Sequence, residues 1–165
     1  MFAAELLDRA EGLLRICRAR KIRLVTAESC TGGLVGGLIT AIAGSSDVYE
    51  RGFITYSNEA KRDSLGVPEF MLTHFGAVSD EVARAMAEGA LVHSRADIAV
   101  SITGIAGPGG GSREKPVGLV HFGCGRTGAI TTRREEFGDR GRAEVRLAAV
   151  VTAIDLLYAA VQAEP

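Results

Sequence analysis

Apolar residues at Leu6, Leu7, Ala10, Leu13, Leu14 and Cys17 recur at helical spacing and predict an amphipathic first helix. The run Lys21–Ala27 alternates and then turns apolar, which reads as a strand. Beyond Ser29 the pattern predicts a helix from about Thr31 to Ile42, stopped by Gly44. A second strand is read at Phe53–Tyr56, followed by two short helices between Asn58 and Phe75 that Gly66-Val67-Pro68 separates. Ser79 is placed to cap a helix whose buried face is Val82, Ala83, Met86, Ala90 and Leu91. Ile98–Thr103 is a strong strand pattern ending at Gly104, and Gly107–Ser112 is a loop by composition. Val117–Phe122 and Ala129–Phe137 read as a hairpin pair. A last helix over Arg142–Ala160 is apolar at Val145, Leu147, Ala148, Val151, Ile154, Leu157 and Tyr158.

Helices between the early strands and a hairpin near the end predict an α/β fold. The expected form is a three-layer α/β/α sandwich around a mixed, mostly parallel sheet of about five strands. No linker or repeat divides the 165 residues, so residues 1–165 are expected to form one domain. No GxGxxG follows the first strand, which argues against a plain dinucleotide fold.

Composition narrows the function. Lys and Arg number 19 against 20 Asp and Glu, so the overall basic excess of a nucleic-acid binder is missing. Among the local basic clusters, Arg140-Arg142-Arg146 is the one kept for a site. The longest apolar stretch, Leu34–Ala43, is interrupted by two glycines and a threonine and is far short of a bilayer span of roughly 20 residues. Glu5, Asp8 and Glu11 break the apolar pattern that a secretory leader would need. Cys17, Cys30 and Cys124 are odd in number and unclustered, which points to a reducing compartment, and the expected location is the cytoplasm. Neither they nor His74, His93 and His121 have metal-site spacing, so no metal is expected.

Candidate chemistry gathers in three segments. A strand ending at Ser29 and passing into a Gly-rich helix start lifts the hydroxyl to the sheet edge, among unpaired first-turn N–H groups and the positive end of a helix dipole. Gly32, Gly33, Gly36 and Gly37 each cost up to about 1 kcal/mol inside a helix, so close packing or close ligand approach is needed to explain them. The competing reading of Ser29 is a cap on a tightly packed helix. A serine needs a base, and no histidine lies in a comparable motif. Lys61 in Tyr56–Lys61 is the better candidate, provided burial lowers its pKa; the competing reading is an exposed helix residue. The third segment, Ser101–Gly111, either wraps a phosphate or sugar with its amides or is a flexible crossover. It lacks the GK[ST] ending of an NTP-binding loop.

Six segments together resemble one family. TAESCTGG at 26–33, YSNEAK at 56–61, GAVS at 76–79, TGIAGPGGG at 103–111, KPVGLV at 115–120 and FGDR at 137–140 are similar, in this order, to the CinA C-terminal domain, also known as bacterial nicotinamide-nucleotide amidohydrolase or NMN deamidase. At Gly109 many members carry a polar residue instead. The resemblance implies an α/β/α sandwich that hydrolyses the carboxamide of nicotinamide mononucleotide to nicotinic acid mononucleotide and ammonia. It implies a Ser/Lys dyad at Ser29 and Lys61, with Cys30 beside the nucleophile helping to form the oxyanion site. Many members carry a further N-terminal domain, so the resemblance implies the stand-alone form. In this scheme the oxyanion is held by N–H groups of Cys30 and its helical neighbours Thr31, Gly32 and Gly33. Tyr56 and Asn58 orient Lys61, and Thr103, Gly104 and Arg142 bind the nucleotide, Arg142 because phosphate favours a guanidinium. No cofactor is required. The expected partner is a small nucleotide substrate, with no nucleic acid or membrane, and homo-oligomerisation is left open. The rival readings are a nucleotide-binding protein without turnover, acting in competence or DNA damage, and a hydrolase for a different amide.

Overall fold

The computed structural model describes Phe2–Ala163; Met1, Glu164 and Pro165, the ends of the expected 1–165 domain, lie outside the described residues. Twelve elements follow in order: α1 (Ala4–Arg20), β1 (Leu24–Glu28), α2 (Leu34–Thr40), a single 3-10 turn (Ser45–Asp47), β2 (Tyr49–Ile54), α3 (Asn58–Leu65), α4 (Glu69–His74), α5 (Asp80–Val92), β3 (Ile98–Gly104), β4 (Leu119–Arg126), β5 (Ala129–Glu136) and α6 (Arg142–Gln162). The sheet order is β2-β1-β3-β4-β5. β1 pairs parallel with β2 and β3, whereas β4 pairs antiparallel with β3 and β5, so only β4 runs against the rest.

Helices cover both faces, as expected. Leu24, Val100, Ile102, Val120 and Phe122 face a core built with α1, α2 and α6. Val25, Ala27 and Ala99 face a second core with Leu65 of α3, Leu72 of α4 and the apolar stripe of α5. The two parallel crossovers use opposite faces, as two crossovers of the same hand running in opposite directions across the sheet require: α2 leads from β1 to β2 on one side, and α3–α5 lead from β2 to β3 on the other. Alternation along β1 therefore sends Leu24, Thr26 and Glu28 towards α2, and Val25 and Ala27 towards α3 and α5.

Several boundaries differ from the sequence expectation. β1 begins at Leu24 because Lys21 closes α1 in the left-handed region at φ 55°. β2 starts earlier than expected, at Tyr49; it is an edge strand whose half-exposed side chains carry no apolar run. β4 extends through Gly123-Cys124-Gly125, where α5 packs so closely that a Cβ on Gly123 would lie 2.6 Å from the Ala83 carbonyl oxygen. On α6, Leu147 and Val151 are partly exposed beside α1 instead of core.

The largest difference is α2, which begins at Leu34 and not Thr31. Gly32 and Gly33 have φ of +59° and +94°, so the chain makes a separate turn before the helix can start. That turn shapes the site.

Candidate active site

Ser29 follows directly on β1, at the carboxyl edge of the three parallel strands, where open α/β sheets place ligands. Its N–H donates to the Ile102 carbonyl of β3 at 2.9 Å, while Thr55 N–H, just past β2, donates to Glu28 O at 2.9 Å. Neighbouring strands thus fix the backbone on both sides of the hydroxyl.

Lys61 sits in the second turn of α3, which Ser57 caps by accepting from Ala60 N–H at 3.0 Å. The competing reading of an exposed helix lysine fails, because Lys61 is only 1% exposed. Nζ reaches back to Ser29 Oγ at 3.0 Å, Thr55 O at 2.9 Å and Tyr56 O at 3.3 Å. Among the described residues no carboxylate pairs with it. Burial without a counter-charge disfavours the ammonium and lowers the pKa from the ordinary lysine value. A neutral amine has two N–H bonds and one lone pair. Two carbonyls accept the N–H bonds, so the lone pair is left for the Ser29 hydroxyl.

Ser29 caps no helix. The N–H groups that open α2 are taken instead by Glu28, whose carboxylate accepts from Gly33 at 3.0 Å, Val35 at 3.1 Å and Gly36 at 2.9 Å. The glycines find their explanation here. A Cβ on Gly36 would lie 2.5 Å from Tyr49 Oη, and one on Gly33 would lie 2.9 Å from Ile54 Cδ1. The expectation that Gly33 and the helical N–H groups hold the oxyanion is therefore corrected, because a buried anion already occupies them. Gly32 N–H is also used, closing the turn onto Ser29 O at 3.0 Å. Among the described residues, no oxygen accepts from the N–H of Cys30 or Thr31. Neither Thr31, Gly32 nor Gly33 lines the cleft.

The cleft, of about 210 Å³, is bounded by Ser29, Cys30, Lys61, Asn58, Tyr56 and Arg142, with Ala77, Val78, Thr103, Gly104 and Ala106 opposite. Cys30 faces it as an inert thiol, since burial pushes its pKa up to about 11. Tyr56 meets Lys61 through its carbonyl; its phenol instead accepts from Arg142 at 2.7 Å. The second Arg142 nitrogen donates to Gly107 O at 2.9 Å, so this guanidinium bridges two rims of the cleft. Asn58 is exposed at the mouth and does not bond Lys61, because Nζ bends back towards the strand ends. The Thr103 hydroxyl donates to Ala77 O at 2.8 Å and braces the opposite wall. At Gly104 a Cβ would lie 2.7 Å from Val120 Cγ2, so no side chain fits. Gly109, Gly110 and Gly111 are exposed and stand away from the cleft; space beside Gly109 is open, so a polar side chain there would be tolerated. Two residues given no individual role by the sequence reading also act here: Glu28, and Arg146, which donates to Cys30 O at 3.1 Å and Thr31 O at 3.0 Å. Arg146 lies four residues after Arg142 on the same face of α6, and that spacing was the available signal.

The CinA C-terminal domain family matches residues 7–161. The nicotinamide-nucleotide amidohydrolase PncC of Escherichia coli K12 is 52% identical over 160 residues, covering 96% of each chain. The chain spans about a third of the length of other curated relatives that it matches, including 33% of the CinA-like protein of Syntrophobacter fumaroxidans, to which it is 51% identical over 141 residues (86% of this chain). The crystal structure of the competence/damage inducible protein CihA from Agrobacterium tumefaciens superposes with a TM-score of 0.96 at 50% identity, covering 98% of this chain and 99% of that one.

Proposed function

The chain belongs to the CinA C-terminal domain family, and from that premise we propose that it is a nicotinamide-nucleotide amidohydrolase. Its reaction is nicotinamide mononucleotide plus water giving nicotinic acid mononucleotide plus ammonia. The observation that carries this reading is the buried, unpaired Lys61 amine 3.0 Å from the Ser29 hydroxyl.

In the mechanism, neutral Lys61 takes the Ser29 proton as Oγ bonds to the carboxamide carbon. The carbonyl π pair moves to oxygen, and the oxyanion is stabilised by the N–H of Cys30 at the head of the turn after Ser29. Collapse re-forms the carbonyl, breaks the C–N bond and expels nitrogen, which takes the proton from the Lys61 ammonium and leaves as ammonia. Water then attacks the Ser29 ester, giving a proton to Lys61. Collapse releases the acid, and Lys61 returns the proton to Ser29 Oγ. Lys61 is neutral at the beginning and end of each half.

Arg142 at the rim supplies the guanidinium for the 5′-phosphate, and Tyr56 holds it in place. The substrate is thus a small nucleotide and not a nucleic acid. Among the described residues no helix is long and apolar enough to cross a membrane, and the three unpaired cysteines accord with work in the cytoplasm. The described residues act as one catalytic unit.

The test is ammonia release by the purified protein from nicotinamide mononucleotide, its nucleoside and free nicotinamide. Release fastest from the mononucleotide is expected. Binding without release would favour a nucleotide sensor, and faster release from a different amide would reassign the substrate.

A further inference from the structure

Arg146 is a large cation with no carboxylate partner among the described residues. Its guanidinium spans two consecutive carbonyls, Cys30 O at 3.1 Å and Thr31 O at 3.0 Å. These belong to the turn that carries the nucleophile, and the third carbonyl of that turn, Ser29 O, already accepts from Gly32 N–H at 3.0 Å. Every carbonyl from Ser29 to Thr31 is therefore engaged. The N–H groups of Cys30 and Thr31 are left without an oxygen acceptor.

Glu28 does the converse one step further on. Its carboxylate gathers the N–H groups of Gly33, Val35 and Gly36. An anion grips the donors after the turn, and a cation grips the acceptors within it. In a trans peptide the C=O and N–H point in opposite directions. Pulling Cys30 O towards α6 therefore turns the Thr31 N–H away from α6. A guanidinium on a carbonyl also polarises the attached N–H and makes it a better donor.

We propose that Arg146 is a positioning residue for the oxyanion: its bond to Cys30 O fixes the Thr31 peptide, and its bond to Thr31 O polarises the Gly32 N–H, which through its own bond to Ser29 O polarises the N–H of Cys30, the residue of the turn that lines the cleft. It neither touches the substrate nor exchanges a proton. This rests on the amidohydrolase reading, which it deepens by assigning how the oxyanion site is held. Arg142 stands one helical turn earlier and meets Tyr56 and Gly107 instead, so the two arginines divide rim and turn between them.

The test uses the full chain with Arg146→Lys, which keeps the charge but cannot bridge two carbonyls with a planar fork, and Arg146→Gln. Mispositioned donors should lower kcat for nicotinamide mononucleotide by tenfold to a hundredfold, on the order expected for a small displacement at the reacting centre. KM should stay within about twofold, an unchanged ground-state contact. The acid limb of the pH profile should keep its midpoint, because Lys61 is untouched. Reaction of Ser29 with a fluorophosphonate, whose phosphoryl oxygen develops similar charge, should slow in parallel. If Arg146→Gln fails to fold, Arg146→Lys carries the comparison. Unchanged kcat in Arg146→Lys would overturn the inference alone. A rise in KM for the mononucleotide but not its nucleoside would make Arg146 a phosphate ligand and overturn it too, as would a shifted pH midpoint. No turnover by the unaltered protein would remove the amidohydrolase reading and this inference with it.

Discussion

Lys61 Nζ stands 3.0 Å from Ser29 Oγ although 32 residues separate them, and among the described residues neither side chain has a carboxylate to share the proton. The pair is set by two strand ends: Ser29 follows β1, and the carbonyls of Thr55 and Tyr56 past β2 hold the amine against it. Removal of either member should therefore abolish chemistry. Ser29→Ala and Lys61→Ala are each expected to lower kcat for ammonia release by a thousandfold or more, on the order of other nucleophile–base units. The double variant should be no slower than the worse single one. Near-unaltered rates in either single variant would reject the dyad.

The pH profile follows from the burial of that amine. An ammonium cannot accept the Ser29 proton, so kcat/KM should fall as pH falls through the Lys61 pKa. Burial lowers that pKa, so the midpoint should lie below the ordinary lysine range. Between the folded and unfolded pKa values the unfolded chain binds more protons, so stability should rise with pH across the same window. Steady-state rates and denaturant unfolding over a pH series check both. A rate rising only at the pH of an exposed lysine would contradict this.

Cys30 occupies the place beside the nucleophile yet should carry no chemistry through its sulfur. Burial raises its pKa to about 11, so the thiolate is scarce at neutral pH. Cys30→Ala is expected to keep kcat within a few-fold, and iodoacetamide should inactivate the unaltered protein slowly or not at all. Rapid inactivation, traced to Cys30 by mass spectrometry, would contradict the inert role.

Glu28 should matter for folding before it matters for turnover. Three N–H groups lose their acceptor in Glu28→Ala. Hydrogen bonds to a charged group contribute about 1.5–3 kcal/mol each, with incomplete additivity, so a loss of roughly 3 kcal/mol or more is expected in urea unfolding. A change below about 0.5 kcal/mol would show that the capping is dispensable.

Arg142→Ala separates binding from chemistry. If the guanidinium meets the 5′-phosphate, KM for nicotinamide mononucleotide should rise roughly tenfold, the equivalent of about 1.4 kcal/mol. KM for the nucleoside should not move. Equal effects on both substrates would place the phosphate elsewhere.

Much of this was legible in the sequence. Alternation and helical spacing found β3, α5 and α6 nearly to the residue, because buried stripes leave strong patterns. β2 was clipped because an edge strand is not required to be apolar, and β4 was clipped where packing against α5 demands glycine. The motif around Ser29 was found, but the start of α2 was misplaced. Of the two explanations the four glycines allow, close packing and close ligand approach, the structure favours packing: left-handed turns and the contacts of Tyr49 and Ile54 account for most of them. Lys61 as a buried amine could not be read from its neighbours Asn58 and Glu59, since burial is a tertiary property. The individual roles of Glu28 and of Arg146, a member of the cluster kept for a site, are hidden for a related reason: both act on backbone groups, which carry no letter in a sequence.

The pleat of β1 has one last effect. Glu28 and Ser29 are adjacent in the chain, yet one serves the α2 layer and the other the α3 layer. Odd and even positions there have separate duties. Deleting a single residue from Leu24–Glu28 would exchange those duties, driving a carboxylate against the amine and a hydroxyl under the helix. Such a deletion should leave a partly folded, catalytically dead chain, whereas an inserted residue in the exposed Gly109–Gly111 loop should pass almost unnoticed.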